Sequence, residues 1–218
     1  MRELLRAPRA ALTFSLTSVI GVLLFAFAIA VLMLPPSQII GERPPEMTCL
    51  QVAFTPARMS EVVLGFEPPI RQAIADLLVP GDMALAWGYG LVLFGLTALL
   101  AMRLPGKWFR VGAIVMWAPL LASTLDCIED VFLYSAVQRL VVDSGAEIPL
   151  MISVLAGVAA TLKYICLSVI TPAYGFAATV KGLQQDRSIP ALILYVLVVY
   201  VMASMVLQPV REIPPCFF

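Results

Sequence analysis

The sequence contains no histidine and no asparagine, and its basic residues are mostly arginine. The missing histidine removes the commonest catalytic base and the commonest metal and haem ligand. No P-loop, Gly-x-Gly-x-x-Gly, Cys-x-x-Cys or Gly-x-Ser-x-Gly sequence occurs either, so no motif calls for a cofactor or a metal. Charge is scarce: 13% of the 218 residues are Asp, Glu, Lys or Arg, while 61% are hydrophobic. Soluble domains run near a quarter charged and about half apolar. No basic patch exceeds what membrane topology explains, which leaves nucleic-acid binding without support.

What is there is a series of long apolar runs. A helix needs about 20 apolar residues to cross a bilayer core. Five runs qualify, at 11–34, 82–102, 111–140, 149–178 and 190–207. The chain is therefore expected to be all-α, one integral membrane domain over residues 1–218, with the lipid bilayer as its first partner. A membrane-protein partner or a second copy of the chain stays open.

The first run is read as an uncleaved anchor, since its apolar length exceeds a signal-peptide core. Pro35-Pro36 and Pro44-Pro45 mark its exit into a loop over 35–81. In that loop Thr55-Pro56 reads as an N-cap followed by Pro at the first helical position. Met59, Val62, Val63 and Phe66 then fall at helical spacing, and Ile70, Ile74, Leu77 and Leu78 repeat the pattern after Pro68-Pro69. Two short amphipathic helices are expected, lying on the membrane surface or on the ends of the spans.

Basic residues orient the chain. With the N-terminus inside, inner segments hold Arg2, Arg6, Arg9, Arg103, Lys107, Arg110, Lys181 and Arg187 against only Glu3 and Asp186. The N-terminus is then cytoplasmic and the C-terminus periplasmic or extracellular. Arginine-rich usage is associated with GC-rich bacterial genomes, and a bacterial inner membrane follows as the expected location. Cys49 and Cys216 fall on the outer side, where an oxidising periplasm permits a disulfide between them. Two unpaired thiols are the alternative, because sequence gives no distance.

Ionisable groups inside a span are expensive and mark structure or function. Span three carries Asp126, Glu129 and Asp130 at i, i+3 and i+4, on one helix face, and span four carries Lys163. Counted from a turn centred on Gly145, Asp126 and Lys163 are nearly level, at about 1.5 Å per residue. Counted from Gly106, Asp82 and Asp130 are level, and Tyr89 lies two turns deeper on the Asp82 face. These six residues are expected to converge in the outer half of the bundle, with Arg58 and Arg71 as a lid pair. Each has a plainer reading. Asp82 serves as the N-cap of span two. Asp126 and Lys163 form a simple intramembrane ion pair. Glu129 and Asp130 are wetted at the outer interface, and Tyr89 only packs. If the acids do meet, they cannot all ionise easily, and one is expected to hold a proton or a cation.

Small residues mark close helix packing: Thr17 and Gly21 on span one, Gly88 and Gly90 on span two, and Ser153, Gly157 and Thr161 on span four. Pro119 and Pro172 are expected to kink spans three and four. Span five has no charge and is expected to face lipid on much of its circumference.

The stretch Phe54-Thr55-Pro56-Ala57-Arg58 with Glu61, then Asp82 and Tyr89, then Leu125-Asp126-Cys127-Ile128-Glu129-Asp130, resembles a group of bacterial integral membrane proteins of uncharacterised function. Those carry a Phe-Thr-Pro-x-Arg segment, an Asp and a Tyr in the next span, and a Leu-Asp-x-x-Glu-Asn run after it. The resemblance covers the middle third of the chain and implies a multi-pass membrane fold with the cluster as a unit. Asp130 stands where that pattern has Asn, so a neutral donor has become an acid.

Three functional expectations follow in order. The first is a non-enzymatic membrane protein whose cluster is structural or binds a partner. The second is a small proton- or cation-coupled transporter. The third is a metal-dependent lipid- or prenyl-transferring enzyme with a divalent ion on Asp126 and Asp130.

Overall fold

Alternating apolar runs and Pro/Gly turns fold into a helical bundle. The computed structural model describes residues 5, 7–41 and 46–212, and among these there is no strand. The helices among the described residues are labelled α1 (Ala10–Ile40), α2 (Glu46–Gln51), α3 (Pro56–Leu64), α4 (Pro68–Asp76), α5 (Met83–Met102), α6 (Lys107–Val115), α7 (Ala118–Val142), α8 (Leu150–Leu183) and α9 (Ile189–Glu212). Five stretches of described residues are long and apolar enough to cross a membrane: α1, the stretch ending in α5, α6 with α7, α8, and α9. The all-α, five-span expectation is met. Arg2, Arg6, Pro44, Pro45 and Cys216 lie outside the described residues.

Several boundaries differ from the expected ones. Span one does not end at Pro35-Pro36 but continues to Ile40, and Gly41, at φ 74°, ends it. A wide π-type turn over Ala28–Met33 precedes the prolines, which sit at the start of the next helical segment. There a missing N–H costs least. Span three begins at Lys107, directly after Gly106, whose φ of 65° makes the turn from span two. Trp117 and Pro119 mark the bend where α6 passes into α7. In span four, Pro172 follows another π-type turn, over Ile165–Ile170, and the Thr171 hydroxyl donates to the Cys166 carbonyl at 2.7 Å. The Cys166 carbonyl thus accepts both the backbone N–H and the hydroxyl of Thr171.

Span two is the hub: 56% of its most apolar window is buried, against 11% for span one and 22% for span five. Those two are peripheral, and their exposed apolar side chains fit contact with lipid. Span one reaches the hub through glycine. A Cβ on Gly21 would stand 2.7 Å from the Val92 nitrogen, and one on Gly88 2.8 Å from the Phe25 backbone. The two backbones touch because neither residue has a side chain, which is how membrane helices gain dispersion contact without a hydrophobic force between them. Gly90 faces the other way and seats the Ser123 side chain of span three. An edge-to-face series, Phe14–Phe94 at 5.6 Å and Phe94–Trp117 at 5.2 Å, extends the one–two–three contact.

The amphipathic helices form a cap on one end of spans three and four. Thr55 caps α3 as expected, its hydroxyl accepting from the Arg58 N–H at 3.3 Å. Met59, Val62, Val63, Ile74, Leu77 and Leu78 are buried, packed with Leu133, Val137 and Leu140 of span three and Ile152 of span four. A third short helix, α2, joins them; its sequence carries too little periodicity to announce it. The small stripe of span four serves the cap and not a neighbouring span: Gly157 lies under the Phe54 ring, and Ser153 Oγ is 3.4 Å from the Phe54 carbonyl.

Candidate functional site

Helical rise decides which polar groups meet. Asp126 and Lys163, level when counted from Gly145, are in contact: Lys163 Nζ donates to Asp126 Oδ1 at 2.6 Å. The same ammonium lies 2.6 Å from Glu129 Oε2, an ion pair rather than an aligned hydrogen bond. Tyr89 of span two donates its hydroxyl to Asp126 Oδ2 at 2.5 Å. Both oxygens of Asp126 are therefore taken, one from each neighbouring span. Tyr89 is more than a packing aromatic.

Four of the six residues are buried. Asp126 and Lys163 are each 5% exposed, and Glu129 and Asp130 are 0% exposed. The expectation that the last two are wetted at an interface is overturned: both are fully buried, about one helical turn before Leu133, where the cap begins to pack on span three. Glu129 Oε1 and both Asp130 oxygens have no hydrogen-bond partner. Asp82 is half-buried, and its charge is felt by Asp130 and Glu129. It is not a side-chain N-cap: its backbone is already helical at φ −68° and ψ −36°, and no cap hydrogen bond forms. A cap residue needs extended backbone to turn its oxygen onto the helix N–H groups.

The lid residues are engaged on the cap itself. Arg58 pairs with Glu61 at 2.8 Å on an exposed face. Arg71 donates to the carbonyls of Phe66 at 2.7 Å and Leu64 at 3.0 Å, closing the C-terminal end of α3. Cys49 is disulfide-bonded, while Cys127 and Cys166 are free; Cys216, the partner expected for it, lies outside the described residues.

Two contacts escaped the sequence reading. Tyr164, next to Lys163, donates its hydroxyl to Gln51 Oε1 at 2.7 Å and so ties α2 of the cap to span four. Ser123, one turn before Asp126, donates to the Ala86 carbonyl of span two at 2.7 Å. Ser123 carried a faint signal, being a polar residue on the face of Asp126. The Gln51 contact joins residues 113 apart and carried none.

The Tyr89 ring also forms a wall of an apolar cavity of about 190 Å³, with Val22, Phe25, Val92, Leu93, Val201 and Met205 from spans one, two and five. Among the described residues no group of three or more Cys, Asp or Glu is arranged to hold a metal ion. The engaged oxygens of Asp126 give the reason: a cation there would have to displace Lys163 or Tyr89.

No family model matches the chain, and no curated protein or solved structure is similar to it.

Proposed function

We propose that the chain is a non-enzymatic multi-pass protein of a bacterial inner membrane, with a cytoplasmic N-terminus and the cap outside. Its Tyr89–Asp126–Lys163–Glu129 network is an interhelical lock that fixes spans two, three and four under the cap. One observation carries this reading: a single ammonium bridges two carboxylates on the next span, and both oxygens of Asp126 are engaged. In a low-dielectric interior such a network holds only one geometry, because any slip leaves a charge unpaired. Burial of the whole network favours the lock over direct contact between these residues and a partner. A partner would instead meet the cap.

The orientation rests on basic residues. The end opposite the cap carries Arg103, Lys107, Arg110, Lys181 and Arg187, and there Arg103 pairs with Asp186 at 2.8 Å. The test of the lock is the stability of Lys163→Ala and Asp126→Asn proteins in detergent. Loss of folded protein in the first and a milder loss in the second support it; wild-type stability in both refutes it. Labelling of a Ser60→Cys protein from outside the cell tests the orientation.

A carrier coupled to protons or cations is the second reading. Asp130 favours it, as a buried acid with no hydrogen-bond partner. The metal-dependent enzyme is the reading the geometry favours least, for want of a free set of ligands among the described residues.

A further inference from the structure

The lock accounts for Tyr89, Asp126, Lys163 and one oxygen of Glu129. It leaves Asp130 over. This side chain is 0% exposed, and neither of its oxygens has a hydrogen-bond partner. Glu129 Oε1, on the preceding residue, is equally without a hydrogen-bond partner. A bare carboxylate in such a place would be among the most costly groups a protein can bury.

The surroundings offer no counter-charge of its own to Asp130. On its own helix Asp130 has Asp126, Cys127 and Glu129 as neighbours. Span two contributes Asp82 and Tyr89, the latter committed to Asp126. Span four contributes Lys163, already shared between Asp126 and Glu129. The cap contributes apolar side chains, and its Arg58 and Arg71 are engaged on the cap. Around Asp130, then, acids outnumber the one cation.

Something positive must enter. Complete burial of Asp130 and Glu129 leaves no room for a hydrated ion, and no metal-holding group exists among the described residues. A proton fits.

We propose that Asp130 is a proton-binding site, loaded from water through Asp82. Asp82 is half-exposed, sits at the start of span two, and is the acid of the cluster nearest solvent. In the loading step the O–H bond of protonated Asp82 breaks and one forms on an Asp130 oxygen; Asp82 becomes a carboxylate and takes its next proton from water. Loaded, Asp130 is a neutral acid, and the cost of burying its charge disappears.

This deepens the second reading above and rests on the cluster being interior to the bundle. The experiment is infrared difference spectroscopy of the full chain in lipid nanodiscs. Expected is a carbonyl-stretch band of a protonated, buried carboxyl group at neutral pH that shifts in heavy water. Asp130→Asn should fold, because the amide imitates the neutral acid, and should lack the band. Asp82→Asn should keep the band but exchange its proton at least about a hundredfold more slowly, the size of effect expected for a positioned proton donor. A wild-type protein without the band would overturn the proposal, as would an Asp130→Asn protein that keeps it, or one that fails to fold because the site needs a charge. None of these outcomes touches the stability of the Lys163 and Asp126 variants, so failure of the proton site and failure of the lock are told apart.

Discussion

Lys163 Nζ lies 2.6 Å from Asp126 Oδ1, joining spans three and four across 37 residues of chain with both side chains inside the protein. The contact ranks the neighbouring groups. Glu129 shares the ammonium and Tyr89 takes the other oxygen of Asp126, so loss of the lysine strands two acids while loss of the tyrosine strands none.

Tyr89→Phe removes one donor to a charged acceptor and leaves the ion pair in place. A loss of about 1.5–3 kcal/mol is expected, the usual worth of a hydrogen bond to a charged group. Equilibrium unfolding in mixed detergent and SDS measures it. A neutral outcome would mean the hydroxyl does not reach Asp126.

Gly88→Val should release span one from the bundle. Its Cβ would stand 2.8 Å from the Phe25 backbone, which cannot yield as a side-chain tip could. A cost of about 1–3 kcal/mol is expected from the forced backbone shift. Gly65→Ala is the control, since its Cβ meets nothing closer than 3.4 Å. Exposure of a cysteine placed at Val92 to a membrane-permeant reagent reads the release.

Phe54→Ala should loosen the cap without unfolding the spans. The ring covers Gly157 and is itself 42% exposed, so a loss of about 1–2 kcal/mol is expected, below the 3–5 typical of a buried aromatic. Limited proteolysis should then cut within residues 46–76 faster than in the wild type.

Asp186 lies outside the membrane, between spans four and five. The Ser188 backbone N–H, then its side chain and Arg103, hold its carboxyl below the usual carboxylate range. A depressed value in the folded state means the contribution to stability is complete at neutral pH, above the unfolded value near 3.9, and fades as pH falls through the folded value. The stability difference between wild type and Asp186→Asn should therefore shrink on acidification below about pH 4. A difference that grows there would contradict the assignment.

The level of each polar residue was legible because an α-helix climbs about 1.5 Å per residue. Counting from Gly145 was enough to bring Lys163 to Asp126. Apolar spacing likewise placed Met59 and Ile74 on buried faces. What counting missed is long-range or depends on backbone irregularity. Gln51 meets Tyr164 only because the cap folds back over span four. Pro35-Pro36 looked like a helix end because the π-type turn ahead of it has no sequence mark. Arg71 looked free to cover the cluster because the open carbonyls of Leu64 and Phe66 appear only once α3 is folded.

The most direct test of the lock is a double-mutant cycle on Asp126 and Lys163 by equilibrium unfolding. Lys163→Ala should cost about 3–5 kcal/mol, as expected when a buried charge loses its partner. Asp126→Asn should cost less, since Glu129 still holds the ammonium. The double variant should fall short of the sum of the two by about 1–3 kcal/mol, the coupling range of residues in one network. Two losses that simply add would contradict the account, since residues that add do not hold each other.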